Sequence, residues 1–105
     1  MPRFRIHRLV DFEYGEIRAW YAGLSPLAAD NFAACFSAAL EKIYRRPTIH
    51  APWRAPFRRV RLQRFPYLLL FHADRRAISV LALVHERREP SCVLADLAYR
   101  KNVFG

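Results

Sequence analysis

The fold is decided by residues 58–90, RRVRLQRFPYLLLFHADRRAISVLALVHERREP. This stretch predicts three consecutive strands joined by short turns at residues 64–67 and 74–76. Residues 67–73 carry no formal charge and residues 77–84 are almost wholly apolar, so both segments predict central strands of a sheet. Because the turns are too short for a crossover connection, the three strands are expected to form an antiparallel meander.

Basic side chains gather along the first strand and after the last one. The first strand, at residues 57–63, has Arg58, Val60 and Leu62 on one face and Arg59 and Arg61 on the other. The last strand leads directly into a basic cluster of His85, Arg87 and Arg88. The pattern predicts a rigid apolar scaffold that presents cations to a polyanion or to an acidic partner.

The N-terminal half predicts one strand and two helices. Residues 3–10 alternate as a half-buried strand does, and Asp11 is expected to cap the helix that follows, which ends near Gly23. Ser25 and Pro26 are a start signal for a second helix, which should end before Pro47. Since almost nothing separates the two helices, they are expected to pack as an antiparallel hairpin.

These elements predict an α+β fold with two layers, in which the N-terminal strand and the meander form one sheet and the helix hairpin covers one of its faces. Residues 1–105 are expected to be a single domain. Residues 47–56 contain three prolines and predict an extended loop. A short helix is expected over residues 93–98, capped by Ser91, followed by a loose tail from about residue 99.

Composition narrows the function. The net charge is +9, with 18 basic residues against 9 acidic ones, and sixteen of the basic residues are Arg. Guanidinium groups make two-pronged hydrogen bonds to phosphates and carboxylates, which favours nucleic acid, ribosome or acidic-protein partners. Cys35 and Cys92 have no metal-ligand or redox spacing, and no glycine-rich phosphate loop is present, so we expect no metal and no cofactor. The short, charged N-terminus and the absence of a long apolar run favour a cytoplasmic protein without membrane contact.

One ordered set of motifs resembles a known family. Residues 64–67 (RFPY), an apolar strand, and a second strand ending in residues 85–90 (HERREP) are similar to the RelE/ParE superfamily of type II toxin–antitoxin toxins. The resemblance extends upstream through residues 22–26 (AGLSP) to the helix ending at Arg46 and Pro47. It implies a growth-inhibiting toxin that a cognate antitoxin wraps with an acidic, partly disordered segment, forming a hetero-oligomer.

The basic side chains then become candidate site residues. We expect a basic surface on the sheet face opposite the helix hairpin, which would bind nucleic acid or another target through Arg59, Arg61, Arg64, Arg87 and Arg88. If the chain resembles the RelE-like ribonucleases in activity, the resemblance implies four catalytic candidates: His85, Arg61, Arg87 and Tyr99. Each basic group also has a purely structural interpretation. His85 can be a hydrogen-bonded histidine at the end of a strand, and Arg87 and Arg88 can form a surface ion-pair network. Arg59 and Arg61 can be part of a solvated sheet face.

The sequence departs from the nuclease pattern in two ways. The strand and its preceding loop contain no lysine, and no acidic residue lies between Glu41 and Asp74, where related nucleases carry a loop glutamate. The first hypothesis is therefore a ParE-like, non-enzymatic toxin that poisons DNA gyrase by binding to it. The alternative is a RelE-like endonuclease that cuts mRNA on the ribosome, so whether the chain is an enzyme stays open at this point.

Overall fold

The computed structural model describes residues 2–104 and has five strands and three helices within them. In chain order the elements are β1 (Arg3–Ile6), α1 (Arg8–Leu24), α2 (Pro26–Arg45), β2 (Pro52–Arg54), β3 (Phe57–Arg61), β4 (Tyr67–Ala73), β5 (Ala77–His85) and α3 (Pro90–Asn102). The strands form one sheet in the order β1-β5-β4-β3-β2. β1 is parallel to β5, and all other neighbours are antiparallel. The predicted α+β fold with a helix hairpin and a meander is confirmed.

The hairpin begins and ends where local chemistry dictates. The hydroxyl of Ser25 accepts a hydrogen bond from the Ala28 amide at 3.0 Å, and Pro26 occupies the first helical position, so α2 starts directly after α1. The helix stops at Arg45 because Pro47 cannot continue it. The side chains that α2 buries recur at three- and four-residue steps, at Ala29, Phe32, Phe36, Ala39 and Ile43.

The junction between β1 and α1 differs from the prediction of a strand through residue 10 with Asp11 as the cap. β1 ends at Ile6, and His7 is the N-cap, with its Nδ1 accepting from the Leu9 amide at 3.1 Å. Because Nδ1 accepts, Nε2 carries the proton and donates to the carbonyl of Val103 at 3.1 Å. His7 is buried, so both ring nitrogens are satisfied inside the protein.

The central strands β4 and β5 are buried on both faces, which explains why they are so apolar. The hairpin-side core lies between the sheet and α1 and α2, and includes Val10, Phe32, Ile43, Val60, Leu69, Phe71, Val80 and Leu83. The α3-side core lies on the other face, and includes Phe57, Leu68, Leu70, Leu81, Ala82, Val84, Val93 and Leu97. The prediction assigned helical cover to one face only, and α3 adds cover to part of the second face.

A β-bulge interrupts β5. Leu70 pairs with Ala82 but its neighbour Phe71 pairs with Val80, so Leu81 is the extra residue. Leu81 and Ala82 both lie in the α3-side core as a result. Every residue of β5 after the bulge therefore faces the side opposite to the one that strict alternation from Val80 would give it.

The C-terminal segment corrects two predictions. α3 extends from Pro90 to Asn102 instead of covering residues 93–98, and Glu89 takes the capping role predicted for Ser91 by accepting from the Ser91 amide at 3.2 Å. The loose tail predicted from about residue 99 is helical as far as Asn102. Gly105, the last residue of that predicted tail, lies outside the described residues.

A buried ion pair holds the end of α3 on the sheet. Arg100 donates to both carboxylate oxygens of Glu13 at 3.1 and 3.0 Å and to the carbonyl of Leu81 at 2.9 Å. Glu13 also accepts from the Leu83 amide at 3.1 Å. β1 stops pairing at Val80, so these two side chains satisfy backbone groups that the edge of β5 leaves free.

The loop over residues 47–56 was predicted to be extended, and it contains the three-residue strand β2, which pairs with the edge of β3. Trp53 within it is half-buried against the α3-side core. None of the helices within residues 2–104 is long and apolar enough to cross a membrane.

Candidate functional site: a basic depression on the sheet

The sequence of β3 places two arginines on the face that α3 partly covers. Arg59 pairs with Leu70 and Arg61 pairs with Leu68, and both leucines belong to the α3-side core. Directly opposed residues of neighbouring strands point to the same face, so Arg59 and Arg61 point to the α3 side, as alternation predicted. Both are exposed, because α3 does not extend over this end of the sheet.

These arginines line an open depression of about 460 Å³, together with Arg87 from the turn after β5. We call this feature the arginine depression; its lining is Trp53, Arg59, Arg61, Leu68, Glu86 and Arg87. The β4–β5 pairing brings Arg87 there, because the Glu86 amide donates to the Pro66 carbonyl at 2.9 Å and extends the contact between the two strands by one residue. Three of the predicted site residues are thus brought together.

Glu86 changes the electrostatics of this depression. Nε of Arg61 donates to Oε2 of Glu86 at 2.8 Å, and Nη1 of Arg61 donates to the Leu62 carbonyl at 3.2 Å. The hydrogen bond from Arg61 holds the pKa of Glu86 below its ordinary value, assisted by the nearby charges of His85 and Arg87. Glu86 is therefore a carboxylate at neutral pH and a weaker base than an ordinary glutamate, and it offsets part of the positive charge of Arg61.

His85 does not join the arginine depression, which makes the predicted grouping of His85 with Arg87 on that face wrong. Leu83 lies in the hairpin-side core and Val84 in the α3-side core, so His85 points back to the hairpin side. Its ring meets the ring of Tyr67 edge to face, with 5.3 Å between the centroids. Its Nδ1 accepts from the Arg87 amide at 3.1 Å, which is the contact expected of a strand-end histidine.

Three further predicted residues lie outside the depression. Arg64 is exposed in the turn between β3 and β4 and has a φ of 66°. Arg88 donates to Asp96 of α3 at 3.3 Å, in an exposed ion pair. Tyr99 is 63% exposed on α3. Neither Arg64, Arg88 nor Tyr99 contributes to the lining.

Three lining residues, Trp53, Leu68 and Glu86, were missing from the sequence-based site. Glu86 is the nearest carboxylate to Arg61, but it is 25 residues away in the sequence, so only the pairing of β4 with both β3 and β5 brings the two together. Its position between His85 and Arg87 was the one available signal. Trp53 comes from β2, which the sequence predicted as a loop.

The described part of the chain offers no set of metal ligands. Within residues 2–104, no group of three or more His, Cys, Asp or Glu side chains is arranged to hold a metal ion. Cys35 and Cys92 are both free thiols. What the arginine depression offers chemically is a set of guanidinium donors beside one ionised carboxylate.

Comparison with known proteins gives a consistent result. No family model matches the chain. It is 28% identical over 99 residues to a protein named Toxin ParE2 in two strains of Mycobacterium tuberculosis, CDC 1551 / Oshkosh and ATCC 25618 / H37Rv. That similarity spans 93% of this chain and 94% of each relative. The chain is therefore similar to RelE/ParE-type toxins over nearly its whole length.

A solved structure of a toxin–antitoxin system shares the fold of this chain. A chain from the chromosomal ParDE TA system from P. aeruginosa superimposes with a TM-score of 0.62 and 16% sequence identity. The superposition covers 81% of this chain and 96% of the other. The strand, helix hairpin and meander predicted from the sequence are therefore the RelE/ParE fold.

Proposed function

We propose that this RelE/ParE-like protein is the toxin of a type II toxin–antitoxin system, that it arrests growth by binding and poisoning DNA gyrase, and that a cognate antitoxin neutralises it. The observation that carries the gyrase proposal is the dispersal of the acid–base candidates. His85 faces the hairpin side, Tyr99 lies on α3 away from the arginine depression, and Glu86 is tied to Arg61. An arginine-lined surface without a free acid or base beside it favours binding over bond cleavage.

The similarity to Toxin ParE2 supports the same choice, since it extends over nearly the whole chain. Poisoning by binding needs a surface that recognises a protein–nucleic-acid complex, and the uncommitted guanidinium groups of Arg59 and Arg87 suit phosphates and carboxylates alike. Neither of these two arginines forms an ion pair with a carboxylate of residues 2–104. Their charge is therefore available to a target.

The alternative, a RelE-like endonuclease that cuts mRNA on the ribosome, keeps one specific observation in its favour. Glu86 brings a carboxylate beside Arg59, Arg61 and Arg87, so an acidic group does accompany the cations. An mRNA phosphate that displaced Glu86 from Arg61 would remove the hydrogen bond that lowers the pKa of Glu86 and make it a stronger base. In that event Glu86, and not His85, would be the general base.

The antitoxin has a suitable docking surface beside the hairpin. A groove of about 230 Å³ runs between α2 and the end of β3, floored by the small side chains of Ala34, Ala38 and Ala39. Lys42 and Arg61 border it, so apolar side chains of an acidic segment would fit with their charges at the rim. At the end of the hairpin, the large apolar side chains of Trp20 and Leu27 are more than half exposed. We propose a hetero-oligomer with the antitoxin in the cytoplasm, where both candidate targets lie.

Two assays on the same antitoxin-free preparation test the proposal. Gyrase supercoiling of relaxed plasmid, with detection of trapped DNA breaks, should be inhibited in proportion to the protein added. Messenger RNA on programmed ribosomes, mapped by primer extension, should stay intact. Defined cuts in the message, with normal supercoiling, would reject the gyrase proposal and establish the endonuclease. Adding the cognate antitoxin should restore gyrase activity.

A further inference from the structure

A second basic depression, of about 340 Å³, lies at the opposite end of β5 from Arg87. We call it the β1 depression, since two of its cations, Arg3 and Arg5, lie on β1. The titratable side chains of its lining are those of Arg3, Arg5, His72, Asp74, Arg76 and Lys101. Four of these six side chains are cationic and one is acidic. The arginine depression shares none of them.

The acidic residue in this lining is hydrogen-bonded to backbone amides of the turn between β4 and β5. Oδ1 of Asp74 accepts from the backbone amides of Arg76 and Ala77, at 2.8 and 2.9 Å. These two amide bonds, assisted by the charges of His72 and Arg76, hold the pKa of Asp74 below its ordinary value. Asp74 is therefore a carboxylate at neutral pH and offsets part of the positive charge of the lining. Within residues 2–104, none of the four cations is in an ion pair with a carboxylate.

Arg5 is held in place as a donor. Its Nη2 donates to Oγ of Ser79, which also lines the depression, at 2.8 Å. Its guanidinium lies 4.1 Å above the ring of Phe104. Nε of Arg5 is buried and donates to no acceptor among residues 2–104. A buried guanidinium N–H without an acceptor is unfavourable, so the position of Arg5 is maintained by its bond to Ser79 and its contact with Phe104.

We propose that the β1 depression binds a phosphate group. A phosphate presents three acceptor oxygens and up to two negative charges, whereas a carboxylate presents two oxygens and one charge. Four cations that line one depression therefore match the charge of a phosphate better than that of a carboxylate. Burial, reinforced by the charge of Lys101, lowers the pKa of His72, so a neutral imidazole at the border can donate a further hydrogen bond.

The phosphate can belong to a free nucleotide or to a nucleic-acid strand, because both present the same group. The β1 depression lies at the other end of β5 from the surface proposed to bind the target. Phosphate binding there is therefore independent of the gyrase proposal. Phosphate binding in solution can therefore succeed or fail whatever the outcome of the growth and supercoiling assays.

The test is a titration of the isotope-labelled full chain, followed through the arginine Nε–H resonances. Pyrophosphate should shift the Arg5 Nε–H signal and leave that of Arg18 in place. The variant R3Q/R76Q removes two exposed cations of the lining and should weaken pyrophosphate binding by at least about tenfold, since charge-assisted hydrogen bonds are lost. The matched variant R18Q/R46Q loses the same net charge from two arginines outside the lining and should bind pyrophosphate as the original chain does.

Three results would overturn the proposal. The first is no shift of Arg5 with any phosphate probe, and the second is equal weakening in both double variants, which would reduce the effect to net charge. The third is tighter binding of a glutamate-rich peptide than of an oligodeoxynucleotide of equal charge. Within a positive outcome, pyrophosphate binding that matches the oligonucleotide identifies a free-nucleotide site, whereas a large gain with the oligonucleotide identifies a strand-binding site.

Discussion

At the scale of single residues, Arg64 is the clearest exception to local preference. It has a φ of 66°, in the left-handed region that a side chain with a Cβ rarely adopts. Glycine would reach this conformation without strain, yet the chain has an exposed arginine there. The substitution Arg64→Gly is expected to raise the free energy of unfolding by about 1 kcal/mol, as measured by urea denaturation.

The neighbouring residue supplies the control for this prediction. Gln63 is exposed in the same turn, and its φ is not positive. Gln63→Gly should lower the free energy of unfolding by roughly 0.5–1 kcal/mol, because it only adds freedom to the unfolded chain. If both variants change the free energy of unfolding in the same direction, the backbone of Arg64 is not strained.

The Arg61–Glu86 pair makes a prediction about pH. Since Arg61 lowers the pKa of Glu86 in the folded protein, the pair stabilises the fold above the ordinary glutamate pKa of about 4.3 and loses that effect as the pH falls through the lower folded value. The variant Arg61→Gln should raise the pKa of Glu86 toward its ordinary value, measured by NMR titration of the side-chain carboxyl. Arg88→Gln, at an arginine that contacts Asp96 instead, should leave the Glu86 titration unchanged. If the pKa of Glu86 is the same in Arg61→Gln as in the original chain, Arg61 is not the cause of its lowering.

At the scale of elements, α3 depends on contacts that are distant in sequence. Glu13 and Arg100 are 87 residues apart, with side chains only 16% and 10% exposed, and together they join α1, the free edge of β5 and α3. Removing one partner of a buried ion pair leaves an uncompensated charge. Arg100→Met and Glu13→Met are each expected to lower the free energy of unfolding by about 3 kcal/mol.

A double-mutant cycle separates this pair from simple loss of packing. The variant E13M/R100M should lose at least about 1 kcal/mol less than the two single changes together, because it leaves no unpaired charge. Arg88→Met, in the exposed pair with Asp96 on the same helix, should cost less than about 1 kcal/mol. Additive losses for Glu13 and Arg100 would show that the two side chains act independently.

The same contacts explain which elements the sequence could predict. β4 was predicted at residues 67–73 because an uncharged run between two turns is a local signal, and the structure has the strand at Tyr67–Ala73. The end of α3 has no such signal: its last turn is weakly amphipathic by pattern and is fixed by Glu13 and by the bond from His7 to the Val103 carbonyl. Because this segment is held in place by residues near the other end of the chain, its own sequence predicts only a loose tail.

The orientation of His85 has a comparable cause. Counting alternate residues from Val80 puts His85 on the α3 side, but the extra residue Leu81 reverses the count. The bulge carbonyl accepts from Arg100, so the feature that turns His85 away is connected to the feature that orders α3. Arg59 and Arg61 lie on an uninterrupted strand, and for them alternation gave the correct face.

At the scale of the whole molecule, the net charge of +9 is divided between surfaces of different character. In the arginine depression, Glu86 offsets Arg61 and leaves Arg59 and Arg87 available. In the β1 depression, four cations have no carboxylate partner within residues 2–104. Composition alone predicts an anionic partner but cannot divide the charge in this way, because the division depends on strand pairing and on the position of α3.

This division leads to a test of which surface is responsible for the proposed growth arrest. The variant R59Q/R87Q removes the two uncommitted arginines of the arginine depression and should weaken target binding at least about 100-fold, since each charge-assisted contact contributes about 1.5–3 kcal/mol. Growth arrest, followed over a range of inducer concentrations, should then be lost while the antitoxin is still bound. The variant R18Q/R46Q carries the same net charge, and cells that express it should still arrest.

Two outcomes would contradict this expectation, and they have different meanings. If R59Q/R87Q still arrests growth with its fold intact, the arginine depression is not the active surface, and the target contacts another part of the molecule. If both variants lose arrest equally, long-range attraction between a cationic protein and an anionic target is sufficient. Raising the ionic strength in the supercoiling assay separates these cases, because attraction over more than about 10 Å is screened at 0.1 M salt, whereas short contacts in the depression keep most of their strength.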